Sequence, residues 1–177
     1  MYSVGLRGFR FSNLQIVALF IAKLRKYENC VVHLGELDCR VWNNRLISSL
    51  SIEKIAHAYI KQLHKLSVKY CFRKIAIITP IPPSDSGASN NNFPRNGSLE
   101  ERIECTTKLT NSLTVMGRAK KLKIINSQLL VGEHNNYKAN GSLKIEYSLD
   151  GCHLNKAGTE IIRRHIDDFI GNSIANL

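Results

Sequence analysis

The stretch Leu149-Asp150-Gly151-Cys152-His153-Leu154-Asn155-Lys156-Ala157-Gly158 places an aspartate and a histidine three residues apart, directly before a predicted helix. An imidazole acts as a general base when a carboxylate holds its second nitrogen in the right tautomer. One short loop can supply both groups, and Gly151 relieves the backbone where such a loop turns tightly. The stretch therefore predicts a hydrolytic base pair, His153 oriented by Asp150.

Outward from this stretch, buried strands alternate with amphipathic helices. Unbroken apolar runs, which are typical of strands covered on both faces, predict strands at residues 30–35, 74–80 and 122–126. Apolar residues at helical spacing predict helices over about 13–26, 52–68, 98–118 and 156–170. This order predicts an α/β protein with a flavodoxin-like, three-layer α/β/α architecture and a parallel sheet. Ligands bind beyond the carboxyl ends of the strands in such sheets.

Capping residues indicate where three of these helices begin or end. Ser51 is expected to cap the helix 52–68, and Ser98 with Glu101 forms a capping box that opens the next helix. Gly171 is expected to stop the last helix.

Two polar stretches are expected to form loops. Residues 83–97 are rich in Ser, Asn, Gly and Pro, which indicates a surface excursion near the site. Residues 133–140 contain Glu133, His134 and several asparagines, and we expect a loop there without assignable chemistry.

The apolar run at residues 14–22 is interpreted as part of a core helix. A signal peptide would need a cleavage site of small residues after the run, but basic residues follow at once from Lys23. Ser12 and Gln15 form a capping box for an ordinary helix, and the run is too short to span a membrane.

A second chemical block follows the first predicted strand. It reads Gly35-Glu36-Leu37-Asp38-Cys39-Arg40. With the D-G-x-H-L-N-x-x-G pattern that begins at Asp150, this block resembles the SGNH (GDSL-type) esterases and lipases over roughly residues 5–170. Gly35 and Asp38 match the family's G-x-N-D block, but Leu37 stands where the family has an asparagine that stabilises the oxyanion.

The resemblance also implies the remaining parts of an oxyanion and substrate site. Arg40 could take over the stabilisation of an anion, and Gly8 or Gly5 corresponds to the glycine whose backbone N–H helps to bind the oxyanion. No Gly-Asp-Ser occurs anywhere in the sequence, so the family's nucleophile block is missing. The expectation is therefore a single SGNH hydrolase-like domain over residues 1–177, truncated at its N-terminus, with the first strand and the nucleophilic serine outside the chain.

Composition agrees with one cytoplasmic domain. The chain has 177 residues, of which 44% are hydrophobic and 22% charged, which is enough for one sizeable core. Five cysteines without a C-x-x-C pair favour a reducing compartment over a disulfide scaffold. Six histidines without H-E-x-x-H give no support for a metal site, and no cofactor is expected. His57 and His64 are expected at the solvent edge of one helix.

A net charge of +11 raises the question of an anionic partner. Basic residues gather at 23–26, 73–74 and 118–123. No nucleic-acid fingerprint accompanies them, so a solvated basic face is preferred to a nucleic-acid site. An acidic polysaccharide or an anionic lipid would use the same charge.

Each singled-out residue also has a purely structural interpretation. His153 could cap the final helix and Asp150 could form its turn. Asp38 and Arg40 could form an ion pair that holds two loops together. Cys39 and Cys152, next to the two blocks, are interpreted as small apolar filler in preference to the nucleophile of a Cys–His hydrolase.

Three hypotheses follow. The first is an SGNH-type scaffold that hydrolyses acyl or acetyl esters, including esters carried on a glycan or a small molecule, with His153 as base and a serine supplied from outside the chain. The second is a catalytically inactive scaffold that binds a carbohydrate or a protein. The third is a basic module for nucleic acid or an anionic surface. The oligomeric state is left open.

Overall fold

The computed structural model describes residues 29–33, 49–70, 72, 74–84, 98–135, 138–151 and 153–171. Three of its strands form a parallel sheet in the order β1 (Asn29–His33), β2 (Lys74–Ile78) and β3 (Lys123–Ile125). Helix α1 (Ser49–Tyr70) connects β1 to β2, and helix α2 (Leu99–Ala119) connects β2 to β3. The predicted α/β class with a parallel sheet is confirmed. Residues 1–28, which include the expected helix 13–26, lie outside the described residues.

The strands separate two hydrophobic clusters, because successive side chains point to opposite faces of the sheet. On one face Val32 and Ile77 pack with α1 and α2, and on the other Ala76 and Ile78 pack with the C-terminal helix. Every residue of β2 after Lys74 is buried, as expected for the central strand. Helices therefore cover both faces of the sheet.

Helix α1 is amphipathic over its whole length. Its apolar face is buried, while His57 and His64 are exposed as predicted. The helix begins at Ser49, so the prediction that Ser51 caps it is wrong. Serines occur at positions 48, 49 and 51, and without a Glu or Gln three residues later the sequence does not indicate which of them precedes the helix.

Helix α2 has the predicted capping box. The Ser98 hydroxyl accepts a hydrogen bond from the Glu101 backbone N–H at 3.2 Å, and the Ser98 N–H donates to Glu101 Oε2 at 2.8 Å. Both contacts satisfy N–H groups that a helix start leaves unpaired.

A β-hairpin stands where the sequence predicted a loop. After β3 come a short helix α3 (Ser127–Val131) and the antiparallel strands β4 (Gly132–Asn135) and β5 (Lys138–Leu143). The prediction of a loop at 133–140 is therefore wrong. The strands contain few β-branched or aromatic residues, so they carry little strand signal of their own, and the pairing depends on tertiary contacts such as those of buried Leu143.

The last helix, α4 (Lys156–Gly171), follows a 3₁₀ turn at Ile145–Tyr147 and the Asp150–His153 loop. The helix ends at Gly171, so this glycine is its last residue and not, as predicted, the first residue after it. Among the described helices, none is both long enough and apolar enough to cross a membrane.

Substitution of Gly141 by alanine tests how closely the β4–β5 hairpin packs against α2. The φ of this glycine is +86°, and an added Cβ would collide with Ile103 Cγ2 and lie 3.0 Å from Thr107 Oγ1. Gly141→Ala should therefore lower the free energy of unfolding by about 2 kcal/mol or more, from overpacking and left-handed strain. Gly171→Ala is the control, because no atom lies within 4 Å of its Cβ. Urea unfolding followed by circular dichroism measures both, and equal stabilities would contradict the packing described here.

Candidate active site

Asp150 and His153 are brought together within one turn of backbone. Asp150 Oδ1 accepts a hydrogen bond from the His153 backbone N–H at 2.8 Å, and Oδ2 lies 2.7 Å from His153 Nδ1. The first contact fixes the carboxylate on the loop, and the second leaves it as the acceptor of an Nδ1–H. Nε2 of the imidazole is then the nitrogen with a free lone pair, which is the form that a general base requires.

Gly151 allows the turn that brings the two side chains together. Its φ is +84°, a region that side-chain-bearing residues rarely adopt. Its N–H donates to the Ser148 hydroxyl at 2.8 Å, and the Leu149 N–H donates to the His153 carbonyl at 2.9 Å. The loop is thus closed by its own hydrogen bonds at both ends.

Asn155 connects the loop to the helix that follows. Its Oδ1 accepts from the Gly158 N–H at 3.1 Å, which caps α4, and its Nδ2 donates to the Glu146 carbonyl at 2.7 Å. Gly158 fits closely against Tyr147, because an added Cβ would lie 3.0 Å from the Tyr147 carbonyl oxygen. The Asn and Gly of the D-G-x-H-L-N-x-x-G pattern therefore lock the loop between the 3₁₀ turn and α4.

The loop is also attached to the carboxyl end of the sheet. The Ser84 N–H, in the segment after β2, donates to the Gly151 carbonyl at 2.9 Å, and Ser84 is buried. The Leu143 N–H donates to the Pro83 carbonyl at 2.8 Å, which fastens the hairpin to the same segment. The Asp150–His153 loop thus contacts the chain that leaves the carboxyl end of β2, the edge where ligands bind in such sheets.

A buried polar network holds this edge. Ser127 Oγ donates to the Pro80 carbonyl at 2.6 Å, and the Ser127 N–H donates to Thr79 Oγ1 at 3.0 Å. Because the Ser127 hydroxyl proton is used on Pro80, the Thr79 hydroxyl must be the donor in its 3.0 Å contact with Ser127 Oγ. Both hydroxyls are fully buried and their hydrogen bonds are structural.

The predicted site residues divide into those the structure places and those it does not. Asp150 and His153 are adjacent, with 43% and 61% of their side chains exposed, so the imidazole is open to solvent. The predicted oxyanion and substrate residues lie outside the described residues, as do the two cysteines beside the blocks: Gly8, Gly35, Asp38, Arg40, Cys39 and Cys152.

The nucleophile is not found in the described part of the chain, where no serine hydroxyl is hydrogen-bonded to Nε2 of His153. Ser84 and Ser127 are buried. Burial raises the pKa of the Cys30 thiol to about 11, and Cys105 is buried in the core, so neither is a reactive thiolate at neutral pH.

Acidic residues on α4 compensate its arginines. Glu160 is hydrogen-bonded to Arg163 and Arg164, and Arg163 also pairs with Asp167. The hydrogen bond from Arg163 is the main cause that lowers the pKa of Glu160 to about 2. Arg163 is therefore held along its own helix by carboxylates of α4.

Sequence reasoning missed the residues that hold the site in place. Asn155, Ser84 and Ser148 orient the loop through backbone hydrogen bonds. Only Asn155 carried a usable signal, because an Asn directly before a predicted helix is a common cap. Contacts such as that from Ser84 join residues far apart in sequence and have no local pattern. No group of three or more His, Cys, Asp or Glu side chains is arranged to hold a metal ion in the described ranges.

Comparison with solved structures places this geometry in a known fold. An aryl esterase from M. smegmatis superposes with a TM-score of 0.61 at 14% identity, covering 92% of this chain and 67% of that one. A carbohydrate acetylesterase from Sinorhizobium meliloti gives a TM-score of 0.60 at 13% identity, covering 89% and 66%. A lipase/acylhydrolase from Enterococcus faecalis gives 0.55 at 15% identity, covering 89% and 70%.

These similarities confirm an SGNH hydrolase-like α/β fold, and at such low identity they establish the fold alone. The sequence matches no protein-family model and no curated protein.

Asn155 provides the test of how the loop is held. Asn155→Ala removes both the helix cap and the bond to the Glu146 carbonyl, and should lower the free energy of unfolding by about 2 kcal/mol. Asn155→Asp keeps an acceptor for the Gly158 N–H but loses the amide donor, so it should lie between the wild type and Asn155→Ala. Chemical denaturation of the three proteins measures this order. Equal free energies of unfolding for the aspartate and alanine variants would contradict a stabilising contribution from the cap on the Gly158 N–H.

Proposed function

We propose that this protein contributes the general base of an SGNH-type ester hydrolase, His153 oriented by Asp150. The observation that carries the proposal is the 2.7 Å contact between His153 Nδ1 and Asp150 Oδ2, on a loop that backbone N–H groups of Gly151, Leu149 and Ser84 also hold in place. A histidine in this arrangement presents Nε2 to a nucleophile. The esterases and acylhydrolases among the solved structures of the same fold support the reaction class.

The nucleophile in this proposal is a serine outside the printed sequence. His153 accepts the serine hydroxyl proton as the oxygen attacks the ester carbonyl, and then donates it to the departing alcohol. Water attacks the acyl-enzyme next, with His153 again as base, and the acid is released. Asp150 orients the ring and stabilises the imidazolium that forms in each half-reaction.

Oxyanion stabilisation is assigned to the segment that follows β1 in the sequence. Gly35, Asp38 and Arg40 come shortly after the last residue of this strand, and in parallel sheets ligands bind beyond the carboxyl ends of the strands. The Leu37 side chain has no donor, so backbone N–H groups of this segment and of Gly8 would bind the oxyanion, with Arg40 as an additional cation.

The proposed substrate is an acyl or acetyl ester carried on a large or soluble alcohol such as a glycan. The carbohydrate acetylesterase with the same fold supports this substrate class. In the proposal, residues 1–177 belong to a single domain that works in the cytoplasm without a cofactor.

The test is labelling of the protein isolated from its native cells with a fluorophosphonate, which reacts with activated serines. We expect a labelled serine, together with hydrolysis of p-nitrophenyl acetate and of an acetylated oligosaccharide. His153→Ala should abolish both. Asp150→Asn should lower kcat about 10⁴-fold, because an amide nitrogen facing Nδ1 favours the wrong tautomer.

Two controls separate chemistry from folding. The amide oxygen of Asp150→Asn can still accept from the His153 N–H, so the variant should unfold at the wild-type temperature. His165→Ala removes an exposed histidine from α4 and should leave turnover unchanged. A folded wild-type protein with neither labelling nor turnover would refute the esterase proposal and favour the non-catalytic binding scaffold.

A further inference from the structure

The edge of the sheet opposite the Asp150–His153 loop is strongly basic. In residues 65–74 and in residues 118–123, every charged residue is a lysine or an arginine. The exposed members of this set, which we call the basic edge, are Lys65, Lys69, Arg118, Lys120, Lys121 and Lys123.

The topology brings the two segments together. Helices α1 and α2 each connect neighbouring parallel strands, so both run antiparallel to the strands and end beside the amino ends of β2 and β3. They lie on the same face of the sheet and share one hydrophobic cluster. A Cβ built on Gly117, near the end of α2, would lie 3.7 Å from Ile60 Cδ1 in the middle of α1, so the two helices pack against each other and α1 continues beyond this contact to Tyr70.

The charge on the α2 side of this edge is not compensated. Among the described residues, no acidic side chain pairs with Arg118, Lys120, Lys121 or Lys123, whereas Arg163 and Arg164 on α4 and Lys108 on α2 all have carboxylate partners. A helix C-terminus favours cations in its last turn, which accounts for Arg118. It does not account for Lys123, which lies in a strand beyond the helix.

Lys121 occupies a position where glycine is usual. Its φ is +57°, its N–H donates to the Arg118 carbonyl at 2.9 Å, and the Leu122 N–H donates to the Gly117 carbonyl at 2.9 Å. These two bonds are the Schellman motif, whose left-handed residue is most often glycine because a Cβ is strained there. The left-handed Lys121 is therefore a candidate for a side chain with a function.

Two exposed valines lie within one helical turn of members of the basic edge. Val68 is 69% exposed in the last turns of α1, and Val115 is 70% exposed one turn before Arg118 on α2. Lysines alone suit any polyanion, but aliphatic side chains between them contribute nothing to contacts with a phosphodiester backbone. At the surface of a bilayer they can enter the boundary between headgroups and acyl chains.

We propose that the basic edge docks this protein onto an anionic lipid bilayer. Lysines attract the negative headgroups, and Val68 and Val115 enter the interface between them. The Asp150–His153 loop then faces the aqueous phase, because it lies at the other edge of the sheet. The proposal stands whether or not the protein is an esterase.

Sedimentation with vesicles tests the docking. We expect the full chain to bind phosphatidylcholine vesicles that contain about 30 mol% phosphatidylserine at about 0.15 M salt, and to bind pure phosphatidylcholine vesicles much more weakly. The variant K120Q/K121Q/K123Q should lose about tenfold or more in affinity. The matched control K54Q/K108Q/K156Q removes three lysines that lie away from the basic edge and should stay within about twofold of the wild type.

Val115→Ser separates insertion from charge, since it should weaken vesicle binding at unchanged net charge. Equal losses for the two triple variants would overturn the proposal, because net charge and not this edge would then govern binding. Binding to duplex DNA or RNA without binding to the phosphatidylserine vesicles would also overturn it.

Lys121→Gly should raise the thermal stability of the protein and at the same time weaken its binding to anionic vesicles. Relief of the left-handed strain should raise Tm by about 2–4 °C, while loss of the lysine should weaken binding to the phosphatidylserine vesicles about twofold or more. Thermal unfolding and vesicle sedimentation of the same preparation measure both effects. A variant that binds as tightly as the wild type would contradict the role given to this lysine.

Discussion

The candidate site depends on how the central strand of the sheet ends. A buried strand that ends leaves backbone groups that must find partners. Here the Thr79 N–H donates to the Ile125 carbonyl and continues the hydrogen bonding of the sheet. The Ser127 hydroxyl binds both the Thr79 hydroxyl and the Pro80 carbonyl. This network fixes the start of the proline-rich segment. The three prolines of that segment, Pro80, Pro82 and Pro83, have no N–H to satisfy, so the chain can stay largely buried as far as Ser84. Ser84 then binds the loop that carries the histidine.

Several separate hydrogen bonds fix the conformation of the Asp150–His153 loop. Asp150 binds the backbone and the ring of the same histidine, and Asn155 joins the helix start to the turn before it. The contacts of Asp150 Oδ1 and of Asn155 each satisfy a backbone group, so the residue that orients the imidazole also stabilises the loop. A purely structural role for Asp150 would need only the Oδ1 contact. The second contact, to Nδ1, fixes a tautomer, as the proton-transfer role proposed for His153 requires.

The sequence predicted those structural features that depend on interactions between residues close in sequence. The capping box at Ser98, the buried strand at β2 and the proximity of Asp150 to His153 all depend on residues close in sequence. The β4–β5 hairpin could not be predicted, because polar strands take their pairing from neighbours that are distant in sequence. The attachment of Ser84 to Gly151 joins residues 67 positions apart and was beyond reach for the same reason. The start of α1 was missed because nearby serines offer equivalent caps.

The two edges of the sheet differ in the physics that shapes them. At the carboxyl edge, polar groups are paired, buried or held in fixed orientations, as a reaction that moves one proton at one atom requires. At the amino edge, the lysine side chains on the α2 side are exposed and have no acidic partner in the part of the chain that the structure describes, and one of them occupies a strained backbone position. Flexible cations of this kind suit a diffuse, variable anionic surface, for which no single geometry exists. A substrate at the carboxyl edge of a docked molecule would therefore arrive from solution and not from the bilayer, which favours a soluble ester over a lipid.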